Sequence, residues 1–412
     1  MTRRGRVLSM IIAASLLAAS GCRPSEEQGP PGSFDAATGM SAGRVVTDMR
    51  GVAVRVPGQV TRVATIDDGF VEAVMSRLGT IRTLVALGSS SQQRVWAYSY
   101  PTRDGQQYSL TDGMGTMRAL HPWLADLPCA SRASGDAIKH ETIAAARPQV
   151  VILRVGDCSV GTSQEVVSRM VGVFEAMGLP VVVLRSPADY RGQGLDTLRA
   201  EIDVLGRLFG AEGEASALAE ELRAAEAMVQ ARVRDVPDGA KPRVLYLGLA
   251  SNARSSGGAA YVWGTDSAES WMIERIVGAR NAYRGPGSRV LLNAEQILAL
   301  DPDVIFLPTS AGFHPPRELA EAPYFRELRR LRAVREQRVY PLPWTPMNCA
   351  RRLEYPLDLL VMAKGAYPDR FRDIAVHEWA LAFYQRTYRV DADQARALRG
   401  AQWLDWTAEA AF

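Results

Sequence analysis

The sequence predicts an α/β protein of two similar lobes, and three observations carry that reading. A block of fourteen residues occurs twice, at His140–Leu153 and at Ala294–Leu307, with Glu141, Ile143, Ala145, Pro148, Val150 and Leu153 matching Glu295, Ile297, Ala299, Pro302, Val304 and Leu307 without a gap. Each copy reads as the end of a short helix, a proline that stops it, and a buried strand rich in Val and Ile, which is half of a βαβ unit. Between the copies lies a helical stretch long enough to connect two bodies. Two Rossmann-like lobes joined by a long helix follow, with a ligand cleft between them where the strand ends and loops converge.

The first 22 residues read as an address. Arg3, Arg4 and Arg6 precede an apolar run from Val7 to Ala19 and then Ser20-Gly21-Cys22, the pattern of a secretory signal ending in a lipobox, with Cys22 as the lipidated residue. The apolar run is too short to span a bilayer. Arg3-Arg4 lacks the apolar pair expected behind a twin-arginine signal, so general secretion is favoured. Residues 23–43, rich in Gly, Pro, Ser and Glu, read as a flexible tether. The expected localisation is the bacterial cell envelope, periplasmic or extracytoplasmic, with a lipid anchor in the membrane.

Removing the leader takes away three of 48 basic residues and leaves 45 against 45 acidic ones. A neutral chain gives no reason to expect a nucleic-acid partner. After lipidation of Cys22, three cysteines remain; Cys129 and Cys158 flank the first repeat strand, and a disulfide between them is a candidate in an exported protein. Metal ligation is the rival, without a Cys-x-x-Cys or His-x-x-x-His spacing to support it. The four histidines, His121, His140, His314 and His377, are scattered.

The remaining chain divides into an N-terminal lobe at 44–188, a linking helical segment at 189–236, and a C-terminal lobe with a helical tail at 237–412. Arg44 to Val56 reads as a strand pair turning at Arg50-Gly51, Val60 to Ile66 as the first core strand, and Phe70 to Leu78 as a helix ending at Gly79. Leu84 to Leu87 is another strand. Arg94 to Asp136, rich in Gly, Ser and Pro, reads as a loop excursion that shapes a ligand site. After the first repeat come a helix at Ser163 to Met177 and a strand at Pro180 to Leu184. From Leu195 to about Val233, apolar residues recur at helical spacing, interrupted by Gly206 and Gly210. The second lobe opens with a strand at Arg243 to Leu249, a loop at Ser251 to Thr265 and a helix through Ser270 to Val277. A strand at Arg338 to Leu342 follows the second repeat. The tail reads as two or three amphipathic helices, broken at Pro368 and near Val390 to Asp393, packed on the second lobe.

With these residues in hand, the chain resembles the substrate-binding proteins of ABC importers for ferric siderophores, haem and cobalamin, the helical-backbone class III binding proteins. The lipobox, the Val46–Pro57 hairpin, the two Glu-x-Ile-x-Ala-x-x-Pro blocks and the linking helix match in order, over roughly residues 44 to 385. The resemblance implies that Glu141 and Glu295 dock the membrane permease through its arginines, one carboxylate per lobe. The competing reading is that each Glu favours the positive end of its helix. The resemblance also places the ligand among Tyr98, Tyr100 and Arg154 of the first lobe and Tyr261, Trp263, Trp344 and Arg352 of the second. Aromatic walls suit a flat or chelate-like ligand, and Arg forks suit its oxyanions. Core packing is the competing reading for Trp263 and Trp344, and an ion pair for Arg154.

The implied function is capture of an iron chelate of the ferric-siderophore kind and its delivery to an ABC permease and its ATPase subunits, by a monomer, without a cofactor, a resident metal or catalysis. The long Arg94 to Asp136 segment and the extended tail depart from the smaller cobalamin binders. Some relatives with such tails take molybdate or tungstate, so these oxyanions, haem and cobalamin are alternatives, as is a sensory lipoprotein that does not transport. An exported hydrolase is the competing class. The chain has no Gly-x-Ser-x-Gly elbow, His-Glu-x-x-His motif or phosphate loop, and Ser255-Ser256-Gly257-Gly258 has no histidine near it in sequence.

Overall fold

Two sheets, one parallel and one mainly parallel, each containing the strand of one copy of the repeat, organise the computed structural model. It describes residues 43–131, 137–156, 160–188, 194–249, 259–308, 316–344 and 352–412, all within one unit, Ser41–Phe412. The leader, Cys22 and nearly all of the tether lie outside the described residues, as do Cys158, Ser255–Gly258 and His314.

The described chain opens with the strand pair that the sequence predicts, β1 (Arg44–Thr47) and β2 (Ala53–Val56), antiparallel with Arg44 opposite Val56. The first sheet contains β3 (Val63–Ile66), β4 (Leu84–Leu87), β7 (Val150–Val155) and β8 (Val181–Arg185), all parallel in the order β4-β3-β7-β8. β3 and β7 are buried along their whole length, the signature of strands covered on both faces. Helices α1 (Phe70–Arg77), α3 (His140–Ala145) and α4 (Gln164–Ala176) supply crossovers, and Ser163 caps α4 as its side chain accepts from Val166 N.

Between β4 and the first repeat, the structure has more order than the sequence suggests. Arg94 to Asp136 is not a plain loop: it forms the antiparallel hairpin β5 (Trp96–Pro101) and β6 (Gln107–Gly113), followed by α2 (Thr116–Leu120). The two strands pair with each other and with no other described strand.

The linking segment is two helices, not one. α5 (Asp196–Phe209) ends at Gly210 in the left-handed conformation (φ 65°), and α6 (Glu212–Val233) follows. The pair folds back on itself, with Arg199 of α5 reaching Glu226 of α6 at 3.1 Å. Gly206 permits the close approach, since a Cβ there would lie 2.6 Å from that of Ala215. α5 packs on the first lobe; α6, about 33 Å long at 1.5 Å per residue, runs onto the helix Tyr355–Ala366 beside the second sheet.

The second sheet comprises β9 (Arg243–Gly248), β10 (Ala260–Val262), β11 (Arg280–Asn281), β12 (Val290–Leu292), β13 (Val304–Leu307) and β14 (Val339–Pro341), in the order β12-β10-β9-β13-β14 with β11 beside β9. β9, β11, β13 and β14 are parallel, whereas β10 and β12 are antiparallel additions at one edge. β10 lies inside the stretch read from sequence as loop. Asn293 caps the second repeat helix, Ala294–Leu300, in a capping box with Gln296.

The tail corrects the expectation that it packs on the second lobe alone. It holds helices at Tyr355–Ala366, Val376–Tyr388, Ala392–Ala401 and Trp406–Glu409. The first covers β13 and β14, but the second touches α1 and the third packs on α2 and β6. One buried apolar cluster accordingly runs from Phe70 and Leu198 through Leu222 to Leu360 and Phe383.

Candidate functional site at the strand ends

In parallel α/β sheets the carboxyl ends of the strands carry the ligand-binding loops, so the site is built from those ends. β3 ends in Asp67-Asp68-Gly69, which opens α1. The Asp67 carboxylate accepts from the backbone N–H groups of Gly69 (2.9 Å) and Val71 (2.8 Å), satisfying donors that a helix start leaves open. Gly69 has φ 122°, a conformation costly for any other residue. A side chain there would also collide with Arg352 Nη1 and Gln92 Nε2. Gly69 thus leaves the space in which these two donor groups meet.

Gln92 arrives from the turn after β4. Gly88 packs against β3, since a Cβ would lie 2.6 Å from Ile66 Cα, and Ser89 and Ser91 follow with hydroxyls 2.8 Å apart. Ser91 Oγ donates to Asp68 Oδ1 at 3.3 Å. Gln92 is 2% exposed and its Nε2 has no hydrogen-bond partner. Burying an amide without a partner costs about 1–3 kcal/mol, so the site is built to receive an acceptor. Arg352, 9% exposed, brings its guanidinium from the far side of β14 to the first lobe's α1.

Arg154 occupies the expected place near the end of β7, yet its guanidinium faces the lobe interior. It is fully buried, donates from Nε (2.6 Å) and Nη2 (2.9 Å) to the two oxygens of Glu201 on α5, reaches Asp67 at 3.5 Å, and lies 4.2 Å over the Phe70 ring. Burial pushes the Glu201 carboxyl up to about 7 despite the Arg154 charge. Glu72, which accepts from Thr65 Oγ1, is raised well above the usual carboxylate range by burial and by Asp67 beside it. The predicted anion fork is, in this structure, the centre of a buried ion network that ties β7 to α5.

The predicted aromatics separate into two groups. Trp344, 1% exposed, joins Trp96 (6.1 Å, edge-on) and Trp403 (4.6 Å), with Tyr98 packed against them. The indole N–H groups of Trp96 and Trp344 have no partner, whereas Trp403 Nε1 donates to Thr111 O at 2.8 Å. Tyr98 donates to Glu318 Oε2 at 2.6 Å. Tyr100, 1% exposed, lies in the second lobe's apolar cluster with Leu245 and Leu247, and burial raises its phenol far above the ordinary value. Trp263 is core: 5% exposed, edge-on to Tyr246 at 5.1 Å, its carbonyl accepting from Asn281 Nδ2 at 2.8 Å. Tyr261 is half-buried beneath the Arg289 guanidinium at 5.0 Å. The fold therefore brings Tyr98 and Trp344 into one aromatic cluster and Arg352 separately to Gly69, and leaves Arg154, Tyr261 and Trp263 in local structure.

The Cys129 thiol is free and donates to Ser131 O at 3.0 Å; the Cys129–Cys158 pairing considered from the sequence falls on Cys158, outside the described residues. Its backbone is held alongside β4 by a bridge to Leu87. Glu141 and Glu295 are both exposed in the first turn of their helices, and neither makes an ion pair among the described residues. Among the described residues no group of three metal-ligating side chains is present, and no helix is long and apolar enough to cross a membrane.

Gln92, Gly69, Trp96 and Trp403 escaped sequence reading. Asp67-Asp68-Gly69 between a strand and a helix was a usable signal, as was Trp96 two residues before Tyr98. Trp403, in the tail, carried none.

Residues 119–345, more than half of the chain, match the model of the periplasmic binding protein family. The chain belongs to this family. Periplasmic binding proteins are extracytoplasmic carriers for transport rather than enzymes, and the two-lobed helical-backbone fold agrees. The chain is the substrate-binding component of an ABC transporter. A periplasmic solute-binding protein from Veillonella parvula shares 21% identity and superimposes with a TM-score of 0.67, over 90% of this chain and 100% of that one. The molybdate-bound periplasmic protein MolA of Haemophilus influenzae shares 17%, with a TM-score of 0.61 over 84% and 98%. Helicobacter pylori CeuE with Ni-His shares 16%, with a TM-score of 0.60 over 86% and 98%. No curated protein sequence matches the chain.

Proposed function

We propose that this binding protein captures an anionic metal chelate of the ferric-siderophore kind at the meeting of its lobes and delivers it to an ABC permease. The observation that carries the reading is the meeting of Arg352 Nη1 and the unpartnered Gln92 Nε2 over Gly69, at the start of α1, with one donor from each lobe. A buried amide donor without an acceptor, next to a guanidinium, favours oxygen-rich anions. Half-buried Trp96 and Tyr98, backed by the buried Trp344, add an aromatic face in which two indole N–H groups lack partners, which suits a bulky chelate better than a bare ion. A small oxyanion such as molybdate is the second reading, favoured by the buried donor pair and by the fold shared with a molybdate-bound protein.

Delivery rests on Glu141 and Glu295. Equivalent, exposed and without an ion pair among the described residues, one on each lobe, they present two carboxylates to arginines of a permease and report lobe position through the spacing of the pair. Cys22 carries the lipid that keeps the carrier at the membrane, residues 23–43 form its tether, and the carrier acts as a monomer. Uptake of ferric chelate by cells that carry Glu141→Ala plus Glu295→Ala tests the role: uptake falls at least about tenfold, as loss of two charge pairs requires, while chelate binding by the purified variant is unchanged. Undiminished uptake overturns it.

A further inference from the structure

The β5–β6 hairpin is the one described element of the first lobe that plugs into the core of the second. It departs from Gln92, at the edge of the first sheet that carries the candidate site, and Tyr100 lands among Leu245, Leu247 and Leu319. Glu318, fully buried in the helix Pro316–Glu321, accepts two phenol hydroxyls: Tyr98 from the hairpin at Oε2 and Tyr324 from its own lobe at Oε1, each at 2.6 Å. Around it, Arg103 Nη2 donates to Ala320 O at 2.8 Å, and the Arg317 guanidinium stands 4.5 Å over the Tyr108 ring. At its base the hairpin is held by Trp403 Nε1 on Thr111 O and by Met114 N on Ala401 O at 3.0 Å.

We propose that this hairpin is a strap across the cleft and that Glu318 is its latch, a positioning residue whose release of Tyr98 gates cargo entry and exit. The gating half rests on the cargo reading above. Three features make the strap releasable. A two-stranded ribbon with no third strand is marginal without its docking contacts. Tyr100 buries a hydroxyl that has no partner, which subtracts from what its ring contributes to docking. The register shifts between Trp96 and Tyr98, and Asp112 is held at φ 61°, which puts the irregular backbone at the base of the hairpin, where a hinge for the tip would lie.

The test uses the whole chain with Glu318→Gln, and with Arg103→Ala at the exposed tip as a variant that leaves the core untouched. Hydrogen exchange of residues 96–113 is expected to rise about tenfold in Glu318→Gln, which weakens both phenol hydrogen bonds to Glu318, that of Tyr98 being the one to the hairpin, and less in Arg103→Ala, while β3, β7, β9 and β13 exchange as before. With ferric citrate as probe, stopped-flow tryptophan fluorescence is expected to show association and dissociation accelerated by the same factor, with the equilibrium constant kept. Unchanged exchange in the hairpin in both variants overturns the latch, as does acceleration spread evenly over both lobes. A changed equilibrium constant with one rate unaltered overturns the gate. If ferric citrate does not bind the wild-type chain, the cargo reading fails for that chelate, and the exchange result alone upholds or overturns the latch.

Discussion

Arg352 sends its guanidinium from the segment after β14 to Gly69, at the start of α1 in the other lobe, and fills the space that any side chain at Gly69 would need. Gly69→Ala is therefore doubly penalised, by φ 122° and by the collision with Arg352 and Gln92. The expected cost is about 1–3 kcal/mol for the backbone alone, and displacement of Arg352 removes the anion site as well. Urea unfolding measures the first effect, and chelate titration of the folded variant measures the second.

Arg154 and Glu201 are both fully buried and joined by two hydrogen bonds. Removal of one partner leaves an uncompensated charge in the interior, so Arg154→Met is expected to lose about 3–5 kcal/mol of stability. Glu201→Gln plus Arg154→Met removes both charges and is expected to recover a large part of that loss, because the cost lies in the unpaired charge. Denaturant midpoints of the two variants decide the matter; equal losses would place Arg154 outside the network.

Glu201 and Glu72 are carboxyls whose folded-state pKa values lie above their unfolded ones, Glu201 at about 7 and Glu72 well above 4.5. The folded state holds these protons more firmly than the unfolded chain. Their contribution to stability is therefore full below about 4.5 and is lost as pH rises from there to 7 for Glu201, and over a window starting at the same point for Glu72. Glu72→Gln, neutral at every pH, is expected to flatten this slope, as read by thermal unfolding between pH 4.5 and 8.

Gly113 and Trp403 touch so closely that a Cβ on Gly113 would lie 2.6 Å from Trp403 Cζ2. Gly113→Ala is expected to push the tail helix Ala392–Ala401 away from the hairpin base and to expose Trp344. Acrylamide quenching of tryptophan emission, increased relative to wild type with far-UV dichroism unchanged, is the predicted result; no increase would mean that the tail and hairpin move independently.

The parts of this fold that sequence alone discloses are those governed by neighbours in the chain. The repeat placed β7 and β13 because a proline and a run of branched residues act within a few positions, and Leu84–Leu87 was readable for the same reason. The β5–β6 hairpin was read as loop because its glycines and prolines mask the alternation in Trp96-Ala97-Tyr98-Ser99-Tyr100, and because what stabilises it, Glu318, lies more than 200 residues away. Arg154 was placed correctly on its strand but not in its direction, which Glu201 sets from a helix 47 residues on. Tyr98, Trp344 and Arg352 were singled out by the family resemblance, not by any local pattern. Gln92 was not, since its meaning comes from the space left at Gly69.

The central claim is that the donor pair at Gly69 receives an anionic chelate. Its most direct test is a titration of the wild-type chain and of Arg352→Met with a panel of ferric siderophores, haem, cobalamin and molybdate, followed by tryptophan fluorescence. The prediction is saturable quenching by one oxygen-rich ferric chelate, weakened about tenfold or more in Arg352→Met, as loss of a charge-assisted donor requires. Binding of equal strength to both chains, or saturation by none of the panel, would contradict it.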